Sequence, residues 1–378
     1  MTPIDNRCRR SYHAVTIEGG RIDRSNLLRS VFFDSPDYIP VIFHINLACW
    51  DHYPRNELAR LVETHPSLFP DGVPDFVGRS EPVPYPAWAL KDTPWTDPWG
   101  CRWETSISGF IGAVNQHPLQ DLDQIASYTP PDPDETTHWY PVRWQKGAAP
   151  HGGSIGFFDC LRSGEIGHGH TFLKLVDLVG YETALLALVD DDPRVSKLLG
   201  MLEEFNRGLV DRFIEYGEIE WLGYAEDLGM QQGPMLSPEL FGKHILPSYR
   251  RIMEPAHRHN AVIHMHSDGD IRSLIPDLLT LPIGVLNIQD RVNGLDWIAA
   301  NLKGRVAVDL DIDRQHITVV GTPQQIRQHV HDVLQTLADP AGGLIITFGL
   351  YPGTPLENAA ALMDALEEGM HDKRLWGN

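Results

Sequence analysis

The sequence predicts an α/β protein: a (β/α)8 barrel of the TIM type with an irregular, Trp- and Pro-rich N-terminal insertion or cap. Three observations predict it. After Gly153, short apolar runs alternate with amphipathic helical segments to the end of the chain, and such alternation argues for a parallel sheet. No Gly-x-Gly-x-x-Gly turn or Walker A motif follows any run, which favours a barrel over the open doubly wound sheet that the same pattern allows. Nearly every run also ends in Asp, Glu, His or Gln, as the mouth of a barrel requires.

Residues 1–378 read as a single barrel domain in which 50–150 form the cap. The first strand is predicted at Ile39–Asn46. Between Trp50 and Pro150 lie seven of the ten tryptophans and fifteen of the 29 prolines. Proline at that density breaks helices and central strands alike. One hairpin is expected within Thr93–Pro118, around the alternating residues of Ser106–Val114. Five further strands are predicted at Ile219–Ala225, Ala261–His266, Ile283–Ile288, Arg305–Leu310 and Gly343–Phe348. Each is too short for a core helix. Ser237-Pro238 starts a helix in which Pro247 and Pro255 predict kinks. Thr322-Pro-Gln-Gln325 reads as a capping box ahead of Ile326, Val330, Val333, Leu334 and Leu337. Thr354-Pro-Leu-Glu357 repeats that signature.

Charge and cysteines bound the function. Lys plus Arg number 31 and Asp plus Glu 51, a net charge of −20. That is a poor partner for nucleic acid or anionic membrane. No apolar run reaches the roughly 18 residues of a membrane span, and Met1–Arg10 has no apolar signal core. Cys8, Cys49, Cys101 and Cys160 are scattered, with no Cys-x-x-Cys pair. Reduced thiols in a cytoplasmic protein are the expectation; the sequence leaves a homodimer open.

The strand ends supply the candidate site. They present His44 and Asn46; Glu226, Asp227 and Gln231; His264, His266 and Asp268; Gln289 and Asp290; Asp309, Asp311 and Asp313; and Tyr351. His264 and His266 share a strand face. His264, the deeper, is expected to be satisfied by a carboxylate, and His266 to serve the site. Asp268 fits either a site role or the N-cap of a helix over Ile271–Leu279. Of Glu226 and Asp227 only one can point inward. Of the alternating Asp309, Asp311 and Asp313, one or two should face the mouth and the remainder should cap or be solvated. Trp95, Trp99 and Trp103 read as packing for the cap.

Read as a set, several segments resemble the uroporphyrinogen decarboxylase superfamily. They are Asp227-x-Gly229-x-Gln231, Ser237-Pro-Glu-Leu-Phe241, His264-x-His266-Ser-Asp-Gly-Asp-Ile271, Val285-Leu-Asn-Ile-Gln289, Gly321-Thr-Pro323, Gly342-Gly343 and Thr354-Pro-Leu-Glu-Asn358. The resemblance spans roughly residues 155–370, includes the N-terminal strand, and implies a (β/α)8 barrel. Asp97-Pro-Trp-Gly-Cys101 with His117-Pro-Leu119 looks like a bacterial branch of these relatives.

The decarboxylases proper carry Arg-Gln-Ala-Gly-Arg after the first strand, to hold the carboxylates of the porphyrinogen. Here the stretch reads His44-Ile-Asn-Leu-Ala48, and a chain of charge −20 is a poor host for a polycarboxylate. The zinc methyltransferases that serve corrinoid proteins carry a His-x-Cys-Gly segment and a later Cys. Here His266 takes the His position, Asp268 replaces the Cys, and no Cys follows Cys160. The resemblance therefore implies a harder Zn²⁺ site of His266, Asp268 and a further carboxylate, Asp227 or Asp309.

The leading expectation is a cytoplasmic enzyme that moves a methyl group from a small methoxylated or methylated donor to a corrinoid (cobalamin) protein, an O-demethylation. His266, Asp268 and Asp227 would hold metal. Asp227 and Gln231 would orient substrate, and Asp309 would act as ligand or general acid. His44, Asn46, Gln289 and Tyr351 would contact substrate. Cobalamin would arrive on a separate protein, because no Asp-x-His-x-x-Gly segment is present. Two other readings fit the same residues: a metal-assisted lyase or decarboxylase acting on a small acid, and a non-catalytic binding protein.

Overall fold

The computed structural model describes residues 16–18, 23–146 and 161–376. Its main sheet has eight strands: β1 (Thr16–Glu18), β2 (Val41–Asn46), β3 (Ser163–Glu165), β4 (Trp221–Ala225), β5 (Val262–Ser267), β6 (Val285–Gln289), β7 (Ala307–Asp311) and β8 (Leu344–Leu350). Their order is β1-β2-β8-β7-β6-β5-β4-β3. β2 through β8 run parallel, and β1 lies antiparallel on β2. The carboxyl ends of all seven parallel strands surround one cavity, so the sheet curls as a barrel wall. Six parallel strands start or end within two residues of the predicted limits. β3 is an addition.

The eighth strand departs from the expected barrel, since it is antiparallel. No parallel strand forms between β2 and β3 among the described residues. The proline-dense segment occupies that place, and proline removes the donors a ladder needs. The segment instead folds as short helices and a three-stranded antiparallel sheet of Trp95–Thr96, Arg102–Glu104 and Ala113–Gln116. The expected hairpin around Ser106–Val114 thus lies a few residues to either side. Trp50, Trp99 and Trp103 pack into the same apolar cluster as the barrel side chains.

Helix starts follow local chemistry. Thr322 forms the full capping box with Gln325, and Ser237 Oγ accepts from Leu240 N. The second expected box fails. The last helix, Leu356–His371, starts on Pro355 with no side-chain cap, because Thr354 is buried and its carbonyl takes the Tyr53 hydroxyl at 2.6 Å. Pro247 follows a π-helical turn at Phe241–Ile245, and Pro255 lies inside the helix Leu246–Arg258. The segment Ile271–Leu279 is helical only at Ile275–Leu278, with Leu274 as N-cap, so Asp268 caps no helix. Cys49 and Cys101 are buried free thiols; Cys8 and Cys160 lie outside the described residues. Among the described residues no helix is long and apolar enough to cross a membrane.

Candidate active site

Two loops bring the key groups together. After β4 and β5 the chain passes through Gly229 and Gly269 in direct backbone contact. A Cβ on Gly229 would lie 2.6 Å from the Gly269 carbonyl carbon, and Gly269 has φ +82°. Only glycine at both positions permits this crossing. It lets Asp268 N donate to Asp227 Oδ1 at 3.1 Å. Asp227 and its neighbour Glu226 then point in opposite directions. Glu226 is fully buried, accepts from Thr171 N and Leu173 N at 2.8 and 2.9 Å, and takes the Tyr249 hydroxyl. It anchors the start of helix α1 (Phe172–Val179).

Asp227 faces the cavity. Its Oδ1 is 3.3 Å from His168 Nε2 and 3.2 Å from His266 Nε2. One donor atom each from His168, Asp227 and His266 lies within 4.8 Å of the other two. His266 Nδ1 is hydrogen-bonded to Asn287 Oδ1, and Asn287 Nδ2 donates to the Asp309 carbonyl at 2.9 Å. That outer contact aims Nε2 at Asp227, as in a metal-ligating histidine. Burial disfavours charge on all three groups, but their mutual attraction outweighs it. His266 is pushed up to about 10, His168 is raised, and Asp227 is held well below the usual carboxylate range.

The donors suit a divalent first-row ion such as Zn²⁺: two imidazoles and one carboxylate converge and leave positions open to the cavity. His168 was not among the predicted residues. It follows β3, whose Ser163-Gly-Glu165 carries no apolar run. The remaining signal was the doublet His168-x-His170, which repeats the spacing of His264-x-His266.

The other candidates divide by what they touch. Asp268 stands one step out, 3.8 Å from His266 Nε2 and 3.2 Å from Arg314 Nη2. Arg314 also reaches Asp311 at 2.7 Å and lies over the Tyr351 ring, 5.4 Å from its centre. Burial pushes the Asp311 carboxyl up to about 7, against the pull of Arg314. Asp309 lies deeper, with one oxygen 2.9 Å from His264 Nε2 and the other accepting Thr347 Oγ1 at 2.6 Å. Asp313 accepts from Gln315 N, His316 N and Ile317 N and so caps, while Asp309 and Asp311 face inward. His44 lines the cavity, and burial pushes it down to about 4.

Six of the strand-end candidates lie outside the cavity lining, Glu226, Asp290 and Asp313 as well as Gln231, Gln289 and Asn46. Gln231 is exposed and donates to Gln315 Oε1 at 3.2 Å. Gln289 Oε1 accepts from Gly269 N at 2.9 Å. The Asn46 amide bonds Gly109 O and Ala48 N. The last two serve backbone groups of the loop and the cap.

The cavity has a volume of about 810 Å³. Its cap side is walled by Trp88, Trp103, Trp139 and Tyr140, with Trp103 and Trp139 centred 4.8 Å apart. Trp103 thus belongs to the wall as well as to the cap core. Behind the wall, Lys174 of α1 is fully buried. Its ammonium lies 3.2 Å from Asp97 and 3.1 Å from Asp177, and 5.4 and 5.3 Å from the Trp103 and Trp139 rings. Asp97 also accepts from Trp99 N, Cys101 N and Trp103 Nε1. The Asp97–Cys101 motif is therefore the clasp between cap and barrel. His117 Nδ1 pairs with the Asp177 carbonyl at 2.7 Å.

Residues 172–369 match the model of the family described as Uroporphyrinogen decarboxylase (URO-D). None of the curated proteins matches the chain in sequence. Among solved structures it is similar to a methyltransferase from Methanosarcina mazei, with 14% identity and a TM-score of 0.54. That likeness covers 91% of this chain and 98% of the other, and it is one of fold.

Proposed function

The chain belongs to the uroporphyrinogen decarboxylase family, and within it we propose a corrinoid-dependent methyltransferase that takes the methyl group of a small methoxyarene. The observation that carries this reading is the His168–Asp227–His266 set in a tryptophan-walled cavity. The methyltransferase from Methanosarcina mazei that shares the fold supports it. Porphyrinogen decarboxylation suits the cavity poorly. Arg314 is the one Arg or Lys among its described lining residues, and it is held by Asp268 and Asp311.

In this reading His168, Asp227 and His266 hold Zn²⁺, which when bound supplies Lewis acidity toward the ether oxygen. Asn287 fixes the His266 ring for that task. Trp88, Trp103 and Trp139 receive the apolar ring of the donor and exclude water from it. Arg314 holds Asp268 and Asp311 in place at the mouth, where Tyr351 and His44 complete the wall. The methyl acceptor is a cobalt(I) corrinoid on a separate cytoplasmic protein seated over the mouth.

The test mixes the protein with cob(I)alamin and a panel of methoxyarenes and follows methylcobalamin absorbance. Product should form with at least one donor. His266→Ala should abolish it; silence across the panel, or a wild-type rate in that variant, refutes the proposal.

A further inference from the structure

Six carboxyl groups line the cavity: Glu165, Asp177, Asp227, Asp268, Asp309 and Asp311. Five are committed. Asp227 serves His168 and His266, and Asp309 serves His264 and Thr347. Asp268 and Asp311 share Arg314, and Asp177 pairs with Lys174. Glu165 alone makes no hydrogen bond and no ion pair among the described residues. Yet it is half-buried, at the carboxyl end of β3, where barrel enzymes carry their chemistry.

The fold makes room for this side chain. Glu165 pairs across the sheet with Gly223 of β4, and Gly223 pairs in turn with His264 of β5. A Cβ on Gly223 would come within 3.1 Å of Glu165 Cγ. The missing side chain leaves room for Glu165 to lie over β4, on the wall of the cavity that the triad also lines. Burial pushes its carboxyl up, against the charges of His168, His266 and His264. A carboxyl group that faces the cavity with no protein partner is available to a ligand.

We propose that Glu165 is the general acid of the site, giving its proton to the oxygen from which the methyl group departs. This rests on the methyl-transfer reading. The O–CH3 bond breaks and the methyl group passes to the cobalt(I) corrinoid, which supplies the new bonding pair and becomes formally cobalt(III). The ether oxygen keeps its own pair, takes the Glu165 proton, and leaves as the neutral phenol. Solvent returns the proton to the carboxylate.

The test compares methoxybenzene with ethylbenzene, which has similar shape and no oxygen, on the full chain freed of bound metal by a chelator, so that no metal ion meets the ether oxygen. Binding is read from quenching of tryptophan emission. A Glu165 hydroxyl that donates to the ether oxygen makes methoxybenzene bind about fivefold tighter, the size of one net neutral hydrogen bond. Glu165→Gln retains an N–H donor and should keep the preference. Glu165→Ala should bind the two ligands alike. Equal binding by the wild type, or a preference that survives in the alanine variant, overturns the role of Glu165 and leaves methyl transfer standing. Failure of both ligands to bind the wild type overturns the methoxyarene reading and this inference together.

Stability and rate give two further readouts. Glu165→Gln should melt no lower than the wild type, because the Glu165 carboxyl has no hydrogen-bonded protein partner to lose; a fall of several degrees in this variant overturns the proposal. In turnover, Glu165→Gln should slow methyl transfer from methoxybenzene about 100-fold or more. It should slow transfer from 4-nitromethoxybenzene far less, because nitrophenolate departs without a proton. Equal losses on the two donors overturn it.

Discussion

Replacing Lys174 with Met tests how the cap is held. The substitution keeps the length of the side chain and removes its charge. Lys174 and Asp97 have no exposed side-chain area, so solvent does not screen the pair. Burial alone would depress the Lys174 ammonium, but Asp177 and Asp97 raise it above the ordinary value. A raised lysine contributes its full stabilisation below the unfolded value of about 10.4 and loses it as pH climbs through the folded one. A measurement at pH 7 therefore sees all of it. Removing one member of a buried pair costs about 3–5 kcal/mol, because the other is left uncompensated. Here two groups are stranded: Asp97, which would keep three N–H donors and lose its counter-charge, and Asp177. At about 2 °C per kcal/mol for a large domain, Tm should fall by about 6–10 °C. The assay is thermal unfolding followed by circular dichroism and tryptophan emission. Pairing Lys174→Met with Asp97→Asn should cost less than the sum of the two singles, because the uncompensated charge on Asp97 is removed. A Tm unchanged in Lys174→Met, or a double variant as unstable as the sum of the singles, refutes the reasoning.

Two further outcomes follow from the triad. Asn287→Ala removes the partner of His266 Nδ1 and should weaken Zn²⁺ binding about 10- to 100-fold, as read by competition with a chromophoric chelator; unchanged affinity contradicts the assigned role. Stability of the metal-free protein should decline between about pH 6.5 and 10. His266 is raised to about 10, so its contribution is complete below its unfolded value and fades as pH rises through the folded one. Urea midpoints across that range test this, and a flat profile refutes it.

Most parallel strands were legible because they are buried on both faces and read as apolar runs. β3 was not, and packing explains why. Phe213 of the long helix Pro193–Gly217 sits on Gly164, where a Cβ would lie 2.5 Å from the ring. A strand compelled to carry glycine for close helix contact offers no hydrophobic signal, so His168 and Glu165 went unseen with it. The rule of reading strand ends did place Asp227, His266, Asp268, Asp309, Asp311, His44 and Tyr351 around one cavity. It could not separate them from Asn46 and Gln289, because an amide that satisfies backbone groups reads like one that meets a ligand. Gln231 was carried away by the short β-hairpin Gly229–Met230/Gly233–Pro234, which the run itself did not announce.

The Lys174 clasp divides the cavity into two parts that can change independently. Chemistry is written on the barrel strands, in residues that answer to one another across the sheet. The cap side of the wall is written on an inserted segment that the Asp97–Lys174 pair helps to fasten. Exchange of Trp88 or Tyr140 on the cap wall would reshape the cavity without replacing His168, Asp227 or His266. A lineage with this plan can change what the cavity admits by redecorating the wall while the triad stays as it is.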